Sequence, residues 1–143
     1  MAAALAVSSP AVAAPFELAG NAGGKWATAI DRGSIKRNGP VVRVWTLTVY
    51  REVRASGHSF SSTHTEFDCN NETRRTLHIA TYRDDGSLIQ RADIQDLRRV
   101  VPQTIAHQEM RAACATAPVG ATTPSEANML DVVQALRREL HRY

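Results

Sequence analysis

Three segments between Val41 and Arg83 alternate apolar with polar residues: Val41–Tyr50, Ser61–Cys69 and Arg74–Arg83. Each is rich in β-branched residues and is separated from the next by turn formers, the pattern of antiparallel strands joined as a meander. In the first, Trp45, Leu47 and Val49 share one face, which the pattern assigns to the core, and Thr46, Thr48 and Tyr50 share the other. In the second, Thr63, Thr65, Phe67 and Cys69 alternate with Ser62, His64, Glu66 and Asp68. In the third, Leu77 and Ile79 are predicted to face inward, His78 and Tyr82 outward. A three-residue turn at Asn70-Asn71-Glu72 would set Asp68 opposite Arg74 and His64 opposite His78. A slip of one residue would flip every one of these side chains.

The flanking sequence extends the pattern. Residues 14–24 hold a Gly/Ala/Asn stretch that reads as a flexible lead-in. Lys25–Ile30 alternates as a first strand, Asp31-Arg32-Gly33 breaks it, and Ser34–Arg37 can resume it. Asn38-Gly39 predicts a type I′ hairpin turn, with Pro40 opening the next strand. Arg51 to Phe60 is a polar loop around Gly57, and Asp84-Asp85-Gly86 is a second hairpin turn leading to a short strand, Ser87–Arg91. Asp93–Val101 is ambiguous: Ile94, Leu97, Val100 and Val101 have helical spacing, and Pro102 ends any helix there. Thr104 is placed to cap a short helix through Ala113 with Cys114 at its end. Residues 115–123 read as a linker. Thr123-Pro124-Ser125-Glu126 is a capping box that opens a helix over 124–143. That helix carries Met129, Leu130, Val133, Leu136 and Leu140 on one face and Asp131, Gln134, Arg138 and His141 on the other. The expected fold is α+β: a small antiparallel β-meander with one or two C-terminal helices packed on it or tied to it.

A length of 143 residues fits one domain, and 43% hydrophobic with 22% charged residues is the balance of a chain with a real core. The net charge of +3 comes from scattered arginines rather than a basic stripe, so a nucleic-acid partner is not expected. Residues 1–13 resemble the second half of a secretory signal peptide, with Ala11-Val12-Ala13 as an A-x-A cleavage site. The charged segment that would precede such a run is missing from the sequence, so it is read as a remnant. An Ala-rich tail is the competing reading. The apolar run is too short to span a bilayer, and no lipid-anchor cysteine lies near it. Cys69 and Cys114 fit one disulfide in an exported chain, with two buried thiols as the alternative. The expected location is exported, in the periplasm or at the cell surface.

Candidate chemistry is sparse. His64, Glu66 and His78 would lie near one another on a sheet face and form a plausible zinc or copper set. Three solvated strand residues is the simpler reading, so neither metal nor cofactor is expected. Asp68 and Arg74 read as a cross-strand ion pair, and Asp31 as an acceptor of turn N–H groups rather than a catalytic partner of Ser34. Ser56, Ser59 and Ser61 lie near His58 in sequence, but no third group orients that histidine. No concave pocket with converging titratable groups is expected, and hence no enzyme. Trp26, Trp45 and Phe67 are assigned to the core. The best candidate for a binding surface is the loop bearing Arg51, Arg54 and His58.

Several short motifs recur in a telling order. Trp26 is followed by Asp31, Ser34 and Ile35, then by the hairpin turn and Arg43-x-Trp45. After these come Glu66-Phe67-Asp68-Cys69, Arg74 with Arg75, Tyr82, Asp85-Gly86, and Pro102-x-Thr104 leading to Cys114. Over residues 25–114 this series resembles the surface-adhesin protein E family of exported bacterial proteins. The resemblance implies a small antiparallel sheet with a helix tethered by a Cys69–Cys114 disulfide. It also implies an envelope or surface location and binding to host extracellular proteins. The ligand-binding segments of adhesive members have no match here, so no binding residue is carried over, and the helix over 124–143 follows the family-like region. The expected function is an exported non-enzymatic binding or adhesion module. The alternative is a periplasmic structural or assembly factor that self-associates or binds a protein through its C-terminal helix. Expected partners are a protein or an extracellular-matrix-type ligand, with a second copy of the chain as an option. Burial of the last helix's apolar face within its own chain would separate the two readings.

Overall fold

A computed structural model describes residues 16–115 and 129–142. The leader assigned to 1–13, residues 116–123 of the linker and the capping box at Thr123–Glu126 lie outside the described residues. The elements in chain order are β1 (Phe16–Asn21), β2 (Trp26–Asn38), β3 (Val41–Tyr50), β4 (Phe60–Asp68), β5 (Thr73–Tyr82), β6 (Leu88–Arg99), α1 (Ile105–Cys114) and α2 (Met129–Leu140). The six strands make a single sheet in sequential order, every neighbouring pair antiparallel. This is the α+β meander that the alternation predicts.

Strands run further than the sequence suggests. Phe16–Asn21, inside the stretch read as a flexible lead-in, is edge strand β1, paired along β2 and held by a Glu17–Arg32 ion pair at 2.5 Å. Its glycine has a packing role. A Cβ at Gly20 would overlap the Gln108 carboxamide and lie 2.9 Å from Ile105 Cδ1, so the missing side chain is what lets α1 approach. Asp31-Arg32-Gly33 is a bulge within β2, not its end: pairing with β3 shifts between Asp31 and Lys36. Asp31 accepts from the Gly33 N–H at 3.0 Å, as the turn reading expects. Ser34 Oγ donates to the Asp31 carbonyl at 2.7 Å and accepts from the Trp45 N–H at 2.9 Å. The ambiguous stretch resolves as strand. Asp93–Arg99 continues β6, because the open edge of β5 satisfies its backbone while Arg91, Asp93, Asp96 and Arg98 keep the outer edge charged.

Register differs in two places. Asn38 pairs with Val41, so the β2–β3 turn centres on Gly39-Pro40, and of these two only Gly39 has positive φ (60°). That is the II′ pattern rather than I′. At the next hairpin Asp68 pairs with Thr73, one residue off the expected partner, and its carboxylate binds the N–H groups of Asn70 and Asn71 instead of Arg74. A bulge at Leu77 restores the expected register, and His64 does face His78.

The core lies on both faces of the sheet, offset along the strands. Successive residues of a strand point to opposite faces. Val42, Val44 and Ile30, with Phe67, pack under α1 through Met110 and Ala113. Leu47, Val49 and Ala29, with Phe60, pack under α2 through Val132, Val133 and Leu136. One strand, β3, therefore feeds two cores of opposite parity, and the assignment of Trp45, Leu47 and Val49 to a single core face is half the picture. Tyr82, expected to face outward, stacks on Phe60 beneath α2.

Two clamps fix the helices. Thr104 caps α1, accepting from the His107 N–H, and Cys69–Cys114 ties the helix end to the end of β4. Beside the disulfide, Arg37 donates to the carbonyls of Ala113 (3.0 Å) and Ala115 (2.6 Å), groups left open at a helix C-terminus. Arg137 holds α2 by donating to the Tyr50 carbonyl at 3.1 Å, the Ser59 hydroxyl at 2.5 Å and the Asp84 carboxylate. The helix predicted to cover the sheet or dock on a partner is thus buried in its own chain.

Candidate functional site

Because each helix covers one half of one face, each face has an open half among the described residues. On the α2 side the open half is organised by a transverse row. The pairings Asp31–Trp45, Trp45–His64, His64–His78 and His78–Asp93 set one residue per strand across β2 to β6. His64 lies flat on Trp45, ring centroids 4.6 Å apart and planes 7° from parallel, and His78 meets the same indole edge-on. His78 Nδ1 is 2.7 Å from Asp93 Oδ1. Burial, together with the nearby cations Arg43 and Lys36 and the second imidazole, holds the His64 pKa below its ordinary value, so this ring is neutral at pH 7. Burial also raises the Asp31 pKa, against its two backbone hydrogen bonds.

The adjacent row carries Arg43, Glu66 and Arg75, with Arg43 Nε 2.9 Å from Glu66 Oε2. Beyond it a depression of about 400 Å³ runs toward Asp68 and the exposed Leu97. Trp45, assigned to the core by its alternation, is half-buried at the centre of this open surface, since α2 ends its cover at Leu47. The metal candidates His64, Glu66 and His78 are neighbours here, but each is engaged by Trp45, Arg43 or Asp93 respectively. Among the described residues no three His, Cys, Asp or Glu side chains converge on a common metal position.

On the α1 side the open half is concave and lined by titratable groups, where the sequence predicts no such pocket. A cavity of about 470 Å³ lies between the sheet and α1. Its floor is hydroxylic: Thr28, Thr46, Thr48, Ser61, Thr63 and Thr65 all fall on this face of β2, β3 and β4. Trp26 and Tyr50, themselves a cross-strand pair, close one end, so Trp26 too is a lining residue rather than core. Arg74, Arg99 and Glu109 also line it. Glu109 is 8% exposed, and burial pushes its pKa up to about 7 against the favourable influence of Thr28 and Arg74. The Thr28 hydroxyl lies beside that carboxyl but without hydrogen-bond geometry, and its oxygen has no partner. A sequence signal for this site exists. In α1 the inward stripe is Ala106, Glu109, Met110 and Ala113, so a carboxylate sits within an apolar i, i+3, i+4, i+7 pattern. Short hydroxylic side chains repeated at i, i+2 in neighbouring strands then leave the volume unfilled.

The loop of Arg51, Arg54 and His58 is folded against the sheet end. Arg54 lies over the Tyr50 ring at 4.3 Å, His58 meets that ring edge-on, and Arg51 Nε is 3.3 Å from His141 Nδ1. Burial first, and Arg54 second, lower the His58 pKa, and its Nε2 has no partner. Ser59 bonds Asp84 and Arg137, not His58. Arg137 in turn holds the Asp84 carboxyl below its usual range, with Ser59 adding to the effect. Phe67 alone of the three assigned aromatics is fully buried.

A family model described as surface-adhesin protein E matches residues 17–115. The match begins in β1, earlier than the motifs suggest, and ends just after α1. It therefore contains the whole sheet and the disulfide and leaves α2 outside. No curated protein and no solved structure matches the chain. Among the described residues no helix is long and apolar enough to cross a membrane.

Proposed function

The chain belongs to the surface-adhesin protein E family, and from that premise we propose that it is an exported, non-enzymatic adhesion module acting in the envelope or at the cell surface. The observation that carries this reading is the Trp45 surface. A large aromatic, half-buried and stacked on His64, is ringed by Arg43, Glu66, Arg75 and His78. Tryptophan and arginine at the centre of a flat face are the composition of a protein-binding hot spot. The partner is a protein of the extracellular-matrix type. The loop of Arg51, Arg54 and His58 is the lesser contact, because its side chains already serve Tyr50 and α2.

The alternative, an assembly factor working through its C-terminal helix, has less support. Val132, Val133, Leu136 and Leu140 are buried within the chain and are not available to a partner. The test is solid-phase binding of the purified mature chain to an immobilised extracellular-matrix extract. Saturable binding that Trp45→Ala weakens tenfold or more, at an unchanged melting temperature, is the expected result. Equal binding by the variant would overturn the assignment of this face.

A further inference from the structure

We propose that the cavity beneath α1 is a binding site for a polyhydroxylated carboxylate, a sugar acid of the uronate kind. Its carboxylate lies toward Arg74 and its hydroxyls on the threonine floor. The site is on the face opposite Trp45 and does not depend on the adhesive reading.

Size sets the first limit. About 470 Å³ falls in the range of small-molecule pockets and accommodates one or two sugar rings. Lining chemistry sets the rest. An apolar acid would leave the hydroxyls of Thr48 and Thr63, the floor threonines that are only half-buried, without partners, at about 1–3 kcal/mol each. A ligand rich in hydroxyls supplies both with partners, since a hydroxyl donates and accepts. An amine is disfavoured because the Arg74 guanidinium stands against the one carboxyl, Glu109, that would attract it. A bare phosphate suits Arg74 but offers Glu109 no matching set of hydroxyls. Trp26 at one end provides flat apolar surface for the C–H face of a pyranose. Burial keeps Glu109 near pH 7 in balance between acid and carboxylate, so it too can donate or accept.

The test uses the full mature chain with Trp45→Phe, which leaves Trp26 as the single indole of the two in the sequence. Its indole N–H resonance and fluorescence are followed during titration with D-glucuronate, D-glucose and acetate. Glucuronate is expected to saturate the signal, with glucose and acetate each at least tenfold weaker. Arg74→Gln should weaken glucuronate at least tenfold and leave the glucose response unchanged. Arg74→Lys, which keeps the charge but loses the bidentate fork, should give a smaller loss and serves as the readout if Arg74→Gln alters the melt. A flat glucuronate titration, acetate binding equal to glucuronate, or arginine variants that bind as the parent does would each overturn the proposal. A disaccharide ending in glucuronate separates two sources of one chemistry. Tighter binding than the monosaccharide supports the acidic end of a glycan, and weaker binding supports a free sugar acid.

Discussion

Glu109→Gln should stabilise the protein at neutral pH and leave it nearly unchanged in acid. In the folded chain burial raises this carboxyl from its ordinary 4.5 to about 7. Below pH 4.5 the folded and unfolded chains both hold the proton. Between 4.5 and 7 only the folded chain does, and above 7 neither does. The folded state thus binds more protons across that window, and its stability falls as the pH rises. At about 1.4 kcal/mol per pH unit, the full loss is about 3 kcal/mol. Glutamine keeps the shape and the hydrogen-bonding edge but has no charge to desolvate. Urea unfolding of both proteins at half-unit steps from pH 4 to 8.5 measures the effect. The difference in unfolding free energy should grow in favour of the variant by about 3 kcal/mol and level off above pH 7. Titration of Asp31, His58 and His64, whose pKa values are also displaced, is common to both proteins and cancels. Parallel profiles would refute the reasoning, because they would mean that Glu109 reaches water as freely folded as unfolded.

Two further outcomes rest on the clamps. Reduction of Cys69–Cys114, or Cys114→Ser, reopens a loop spanning 45 residues and should cost up to about 4 kcal/mol, seen as a lower melting temperature. An unchanged melt would mean that Arg37 alone secures the end of α1. Arg137→Ala removes the bonds to the Tyr50 carbonyl and the Ser59 hydroxyl and should destabilise by about 2 kcal/mol. Hydrogen exchange should then rise in α2 before it rises in β3. Uniform exchange would place the helix and the sheet in one unfolding unit.

Alternation alone made β3, β4 and β5 legible, because side-chain direction in a strand has period two and turn residues mark its ends. The capped helix α1 and most of the apolar face of α2 were legible for the same kind of reason, though Val132 rather than Leu130 turns inward. Coverage of both faces was not. Val42 and Val44 differ in parity from Leu47 and Val49, and a reader who expects one wet face must discard one pair. Strand β1 was hidden by its own glycine: the composition that suggests looseness is what admits α1 against Gly20. Strand β6 was hidden by Ile94, Leu97 and Val100, whose helical spacing loses to the unpaired edge of β5. The cavity was hardest to see. Threonines are ordinary strand residues, and only the tertiary offset of α1 turns their short side chains into empty space above a buried glutamate.

The disulfide decides how far this chain can stretch under load. For tension applied between a point before Cys69 and a point after Cys114, everything between the two cysteines is bypassed by a covalent shortcut. The bypassed stretch contains β5, β6 and α1, about 150 Å of chain if fully drawn out. While the bond is intact that slack is withheld, so load can unravel β1 to β4 and α2 but cannot lengthen the segment that carries β5, β6 and α1. The oxidised protein is a short tether, and the same chain reduced is a long one.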